Sequence, residues 1–180
     1  MSSQSKIILN SKQLELTIER LSFEIIENFK NFDNTVIIGM QPRGVMLAKK
    51  IHNILEYNIK RNLKIGYLDT TFFRDDFRRR DDVIVPHQTS IDFSLEKSNV
   101  ILVDDVLFTG RSIRSALDAL VSFGRPDSVE LLVLIDRRFS RELPIQPRYI
   151  GKSIDVIDNE YVVVNLVETN SNVTLLNKKR

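Results

Sequence analysis

The sequence predicts an α/β fold: an open, mostly parallel sheet with helices on both faces. Three observations carry that expectation. Val100-Ile101-Leu102-Val103 is too short for a helix and too uniformly apolar for a half-exposed strand, which is how a covered central strand reads. The run stops at Asp104-Asp105, and Ile113, Ala116, Leu117 and Leu120 follow at helical spacing. Strand-like and helix-like stretches alternate on either side of it, and such a fold places its ligand across the strand ends at a topological switch point.

A chain of 180 residues with 42% hydrophobic residues can bury one good core, so a single domain over residues 1–180 is expected. Twenty-six basic against 24 acidic residues leave a net charge of +2, which excludes a general polyelectrolyte attraction to nucleic acid and requires a local patch for any such binding. The absence of cysteine excludes a disulfide framework and a thiolate metal site, and two histidines, His52 and His87, make a poor zinc cluster. The N-terminus has no apolar core of signal-peptide length and no apolar run approaches about 18 residues, so a cytoplasmic protein is expected.

In chain order, Lys6 to Leu9 reads as a short strand or arm. Asn10 or Ser11 caps a helix, with Gln13 placed for a capping box. Leu14, Ile18, Leu21, Ile25 and Phe29 form its apolar face, and Glu15, Glu19 and Glu27 lie opposite. Thr35 to Ile38 is a buried strand, and the turn Gly39 to Gly44 leads to a helix from about Val45 to Tyr57. Gly39 and Gly44 permit close backbone approach in that turn, and Arg43 can take a phosphate bidentately. A strand from about Leu63 to Leu68 enters a charge-dense but neutral segment, Asp69 to Asp82. Gly124-Arg125-Pro126 ends the helix after the central strand, Ser128 to Ile135 is the next core strand, and Tyr161 to Val167 is a strand of a small extra element or an edge.

The turn after the central strand has the chemistry of a ribose 5-phosphate site. Gly110 lets the backbone turn beside an anion, the helix start and the hydroxyls of Thr109 and Ser112 can hold a phosphate, and Arg111 adds charge. Asp104 and Asp105 repel phosphate but suit the vicinal ribose hydroxyls and contact with magnesium.

Over Val100 to Ser112 the chain resembles the fingerprint of the type I phosphoribosyltransferases, and D-D-V-L-F-T-G-R-S resembles one branch, the PyrR family of uracil phosphoribosyltransferases and pyr operon regulators. It is neither a Rossmann G-x-G-x-x-G nor a Walker A loop. The resemblance covers about Ile18 to Ile150. It implies that Val106, Leu107, Phe108, Thr109, Gly110, Arg111 and Ser112 bind the 5-phosphate of phosphoribosyl pyrophosphate (PRPP). It also implies that Asp104 and Asp105 are the catalytic pair, touching Mg2+ indirectly through PRPP. Purine-using relatives carry an aspartate where this chain has Phe108, which favours a pyrimidine.

Pro42, Arg43 and Gly44 match the family's pyrophosphate segment G-x-x-T-R-G, with Pro42 for the threonine. Arg74, Asp75 and Asp76 match the start of a flexible loop, about residues 70–90, that closes over bound PRPP and excludes water. The arginines Arg78 to Arg80 read as a solvated face. A small hood, about residues 136–167 with an N-terminal contribution, is implied over the strand ends, with Asp136 and Arg137 toward the base. The family's D-R-G-H-R-E-L-P-I appears here with Arg138-Phe139-Ser140 replacing Gly-His, which removes the histidine.

Two functions of different class follow. One is an enzyme that joins uracil to PRPP, giving UMP and pyrophosphate, as a homo-oligomer of two or more copies. The other is a uridine-nucleotide sensor that binds the pyr mRNA leader through Arg20, Arg138, Arg141, Arg148 and Lys152. RNA-binding relatives have T-R-I-x-H-E-I-I-E in the first helix; here Glu19 and Phe23 stand for the threonine and histidine and only Arg20 is kept, so the enzyme is favoured. A purine or orotate transferase keeps the same chemistry, but Phe108 and the D-R…R-E-L-P-I pattern argue against it.

Overall fold

A computed structural model describes residues 5–29, 31–73, 88–156, 160–167 and 170–177. The chain enters through β1 (Ser5–Leu9) and α1 (Ser11–Asn28). Next come β2 (Thr35–Met40), α2 (Gly44–Ile59) and β3 (Lys64–Leu68). Then follow β4 (Asn99–Leu107), α3 (Arg111–Leu120) and β5 (Ser128–Arg138). The chain finishes with β6 (Tyr149–Asp155), β7 (Glu160–Asn165) and β8 (Asn172–Asn177).

The main sheet has five strands in the order β3-β2-β4-β5-β6, parallel at every pairing. Alternate residues of the central strands point to opposite faces. Ile37, Ile101, Val103, Leu132 and Leu134 meet the buried rows of α1 and α2, whereas Val36, Ile38, Val100, Leu102 and Val133 meet Ile113, Ala116 and Leu120 of α3. Coverage of both faces is why these strands are apolar without alternation.

The first helix forms as its spacing predicts. The Asn10 side chain accepts from the Gln13 N–H at 2.9 Å, and the Gln13 side chain accepts from the Asn10 N–H at 3.0 Å, so two otherwise orphaned donors are satisfied. Leu14, Ile18, Leu21 and Ile25 are buried in one row. Each contributes about 1.5–3 kcal/mol by leaving water. No described helix is long and apolar enough to cross a membrane.

The chain direction reverses at the centre of the sheet: β2 leads through α2 to β3 on one side, and β4 leads through α3 to β5 on the other. The turns following β2 and β4 therefore part, leaving a crevice between them at the strand ends.

Two features differ from the sequence expectation. The central strand continues past the carboxylates to Leu107, because β5 extends equally far and pairs Asp104 with Val133, Val106 with Ile135 and Leu107 with Asp136. Asp105 is consequently buried inside the strand, 8% exposed, rather than beyond the point where the apolar run stops. The stretch expected as a hood divides between two sheets: β6 joins the main sheet beside β5, while β7 pairs with β8 and β8 with β1 in a separate antiparallel sheet of three strands. The N-terminal strand does join that small sheet, through Ser5–Leu9.

Candidate active site

The crevice is built first by how closely α2 approaches β4. A Cβ on Gly44 would lie 2.5 Å from the Val103 carbonyl oxygen and 3.1 Å from the Asp104 Cα, so only glycine fits where the turn presses on the strand. The Gln41 N–H donates to the Leu68 carbonyl at 2.9 Å, and the Gln41 side chain donates to the Gln88 carbonyl at 3.2 Å, pinning the turn on its other side. Arg43, between Pro42 and Gly44, is thereby held over the crevice, its Nη1 3.9 Å from Asp105 Oδ2.

The two aspartates are organised by the backbone. Asp104 Oδ1 accepts from the Asp105 N–H, and Asp105 Oδ1 accepts from the Val106 N–H, each at 2.9 Å. Asp105 Oδ2 is buried with no hydrogen-bond partner. Burial pushes the pKa of both carboxyls up, and the neighbouring Asp105 charge raises Asp104 further, while Arg43 acts in the opposite direction on each. Arg43, at the far edge of ion-pair distance, is the cation beside that buried oxygen.

Among the described residues no group of three or more histidine, cysteine, aspartate or glutamate side chains is arranged to hold a metal ion. The Asp104 carboxylate, on the wall of the neighbouring concavity, has the oxygen chemistry that would suit a magnesium ion taking most of its ligands from a bound molecule.

Beyond the aspartates, Asp104, Thr109, Gly110, Arg111, Ser112 and Glu142 line part of a concavity of about 220 Å³. Gly110 has φ of 92° and precedes α3, whose start carries no side-chain cap. That conformation favours glycine, and it brings the first turn of a helix, with N–H groups that have no intrahelical partner, to the concavity wall. An anion is stabilised there by those donors and by the helix dipole.

The far wall comes from β5 and the segment after it. The Arg137 guanidinium stacks 4.0 Å from the centroid of the half-exposed Phe108 ring. Arg137 is buried, its Nε has no hydrogen-bond partner, and its Nη2 donates to the Glu160 carbonyl at 3.4 Å. Burial lowers its pKa, opposed by the Glu160 charge. Arg141 donates to both Asp136 and the Phe108 carbonyl. The backbone N–H groups of Glu142 and Leu143 donate to the Thr109 carbonyl at 3.0 and 3.2 Å, and Arg111 Nε donates to Glu142 Oε2 at 2.6 Å.

R-E-L-P-I thus braces the loop between β4 and α3, a contact that the motif alone does not reveal. Glu142 was absent from the expected site residues, although the matching motif was the signal that marked it.

The expected loop residues Arg74, Asp75 and Asp76, with Arg78 to Arg80 and His87, lie outside the described residues. The candidate RNA residues all have internal partners. Arg20 donates to the Ile150 and Gly151 carbonyls at 2.9 and 2.8 Å and pairs with Glu24 at 3.2 Å. Arg138 grips Asp155 with bonds of 2.8 and 3.0 Å, Arg148 faces Glu130 at 3.5 Å, and Lys152 donates to the Ile8 carbonyl at 3.2 Å. Arg141 is held as described above.

The chain is similar to known proteins over most of its length. Residues 4–168 match the family model described as phosphoribosyl transferase domain. The "Bifunctional protein PyrR" of Streptococcus equi subsp. zooepidemicus is 46% identical over 165 residues, 92% of each chain. The protein of that name from Streptococcus mutans is 42% identical over 178 residues, 98% of each. A "Pyrimidine operon regulatory protein" of Lactococcus lactis subsp. cremoris is 42% identical over 174 residues, 97% of each. Among solved structures, the hypoxanthine phosphoribosyltransferase of Trypanosoma cruzi with its product IMP has a TM-score of 0.72 at 16% identity, covering 97% of this chain and 91% of that one. The Staphylococcus aureus enzyme of that name reaches 0.70 at 18% identity, covering 97% and 92%. At those identities the likeness is one of fold.

Proposed function

The chain belongs to the PyrR family of phosphoribosyltransferases, and from that premise we propose that it is a uracil phosphoribosyltransferase, converting uracil and PRPP to UMP and pyrophosphate. One juxtaposition carries the reading. Arg43 stands 3.9 Å from Asp105, and the next residue back, Asp104, lines the concavity at Gly110. That sequence of cation, hydroxyl acceptor and anion cradle suits pyrophosphate, ribose and 5-phosphate in their covalent order.

In this mechanism Thr109 to Ser112 grip the 5-phosphate and fix the sugar. Asp104 and Asp105 accept hydrogen bonds from the ribose hydroxyls, and their charge stabilises the oxocarbenium character that develops as the bond to pyrophosphate lengthens. Arg43 binds the departing pyrophosphate. Asp104 and Asp105 would hold magnesium indirectly, through the ligand, and the ion would supply charge neutralisation of the leaving group. Phe108 and the stacked Arg137 form the wall on the base side, with an apolar ring where a purine site has a carboxylate. The test is to offer PRPP and magnesium with uracil, hypoxanthine, guanine or orotate and to identify the nucleotide formed. UMP alone is expected, and a purine nucleotide as the main product would overturn the assignment.

Arg43→Ala is expected to weaken pyrophosphate and PRPP binding by roughly tenfold or more, the scale of one charge-assisted contact, while leaving UMP affinity within about twofold. Calorimetric titration with the three ligands distinguishes this from equal losses for all three, which would make Arg43 a support of the fold.

A second reading, a nucleotide-sensing regulator that binds the pyr mRNA leader, draws support from the names of the relatives. Against it, Arg20, Arg138, Arg141, Arg148 and Lys152 are each engaged by a carboxylate or a carbonyl of the protein. RNA binding is therefore expected to be weak, strongly salt-dependent and little different between a leader hairpin and a scrambled control. Hairpin-selective binding that is enhanced by UMP and survives physiological salt would restore the regulator.

A further inference from the structure

We propose that Glu142 sets the affinity of the phosphate concavity, holding Arg111 until a phosphate monoester takes its place. The inference rests on the phosphoribosyl reading of the site and deepens it. Glu142 is itself part of the concavity lining, and its Oε2 accepts from Arg111 Nε at 2.6 Å. The carboxylate cannot drift away with a loose loop, because the Glu142 and Leu143 N–H groups both donate to the Thr109 carbonyl. Leu143 and Ile145 side chains also stand 3.3–3.5 Å from where a Cβ on Gly110 would be, so the segment is packed on the loop it serves.

The pair is built for exchange rather than for stability. Both side chains are 48% exposed, and an ion pair in that setting contributes little to folding. A phosphate monoester brings more negative charge and more acceptor oxygens than a carboxylate, so it competes well for the guanidinium. The displaced Glu142 then remains beside the bound dianion, and that repulsion weakens every phosphorylated ligand by the same factor. It leaves ligands without a phosphate untouched. Glu142 thus has two effects: in the empty site it holds Arg111 at the concavity, and with a phosphate bound its charge limits how tightly a phosphorylated product is retained.

The test is a calorimetric titration of wild type, Glu142→Gln and Glu142→Ala with ribose 5-phosphate, UMP and uridine. Both variants are expected to bind ribose 5-phosphate and UMP about three- to tenfold more tightly, the scale of removing one like charge a few ångströms from a solvated dianion, with uridine affinity within about twofold. Glu142→Ala keeps the backbone bonds to Thr109, so it reads the charge even if glutamine packs badly. Glu142→Asp restores the charge and is expected to return toward wild-type affinity. Unchanged or weaker binding of the phosphorylated ligands by both neutral variants, with normal wild-type binding, overturns this inference alone. Failure of the wild type to bind ribose 5-phosphate and UMP overturns the phosphoribosyl reading and the inference together.

Discussion

Asp105→Asn is expected to lower nucleotide formation by about two to three orders of magnitude, the scale of losing one preorganised electrostatic contact in an active site. The same variant is expected to unfold at the same or a higher temperature than the wild type at neutral pH. The two halves have one cause. Burial raises the pKa of both Asp104 and Asp105, so the folded protein holds those protons more tightly than the unfolded chain. The stability this gives is fully present below the ordinary aspartate range, near 3.9, and is lost as pH rises through the raised folded values. As pH rises through those values, ionising the buried pair weighs against folding, and asparagine removes one of the two ionisable groups while keeping the shape. Thermal unfolding at neutral and acid pH, alongside initial rates, checks both: the variant's stability advantage should shrink toward acid pH. Activity within a few-fold of wild type would remove Asp105 from the site.

Gly44→Ala is expected to damage fold and activity together. The added carbon would meet only backbone, the Val103 carbonyl at 2.5 Å and the Asp104 Cα at 3.1 Å, so no side chain can rotate out of its way. The start of α2 must retreat. Overpacking of this kind costs about 1–3 kcal/mol, and at this chain length each kcal/mol lowers the melting temperature by roughly 2–4 °C. The retreat carries Arg43 away from Asp105, and a displacement of about 1 Å in a positioned group costs on the order of a hundredfold in rate. Calorimetry and PRPP-dependent turnover give both numbers. A variant as stable and active as the wild type would show that this junction does not position Arg43.

The contrast between these residues explains how far the sequence could be read. The β4 to α3 turn was legible because its requirements are local: an apolar run, two acids, and Gly110 before a helix face spaced by Ile113, Ala116 and Leu120. The first helix was legible for the same reason, down to the bonds between Asn10 and Gln13. What stayed hidden depends on partners far along the chain. The extension of β4 to Leu107 requires β5 to run equally far, and the burial of Asp105 follows from that pairing.

Strand β6 carries Gly151, Lys152 and Ser153 in its middle and has no strand-like pattern of its own; pairing with β5 makes it a strand. Glu142 was readable as part of a motif but not as a wall of the concavity beside Gly110, because only the bonds to Thr109 and Arg111 bring it there. The small sheet was half seen: its contributions from Lys6 to Leu9 and from Tyr161 onward were anticipated, whereas β8, which joins them, was not.

The central claim is that one crevice at the switch point binds a phosphoribosyl group in a fixed orientation. A crystal structure with UMP tests it most directly. The 5′-phosphate is expected within hydrogen-bond distance of Thr109 to Ser112, the ribose hydroxyls on Asp104 and Asp105, the base beside Phe108 and Arg137, and Arg111 turned from Glu142 to the phosphate. A nucleotide bound with its phosphate at Arg43 and its sugar away from the two aspartates, or bound outside this crevice, would contradict it.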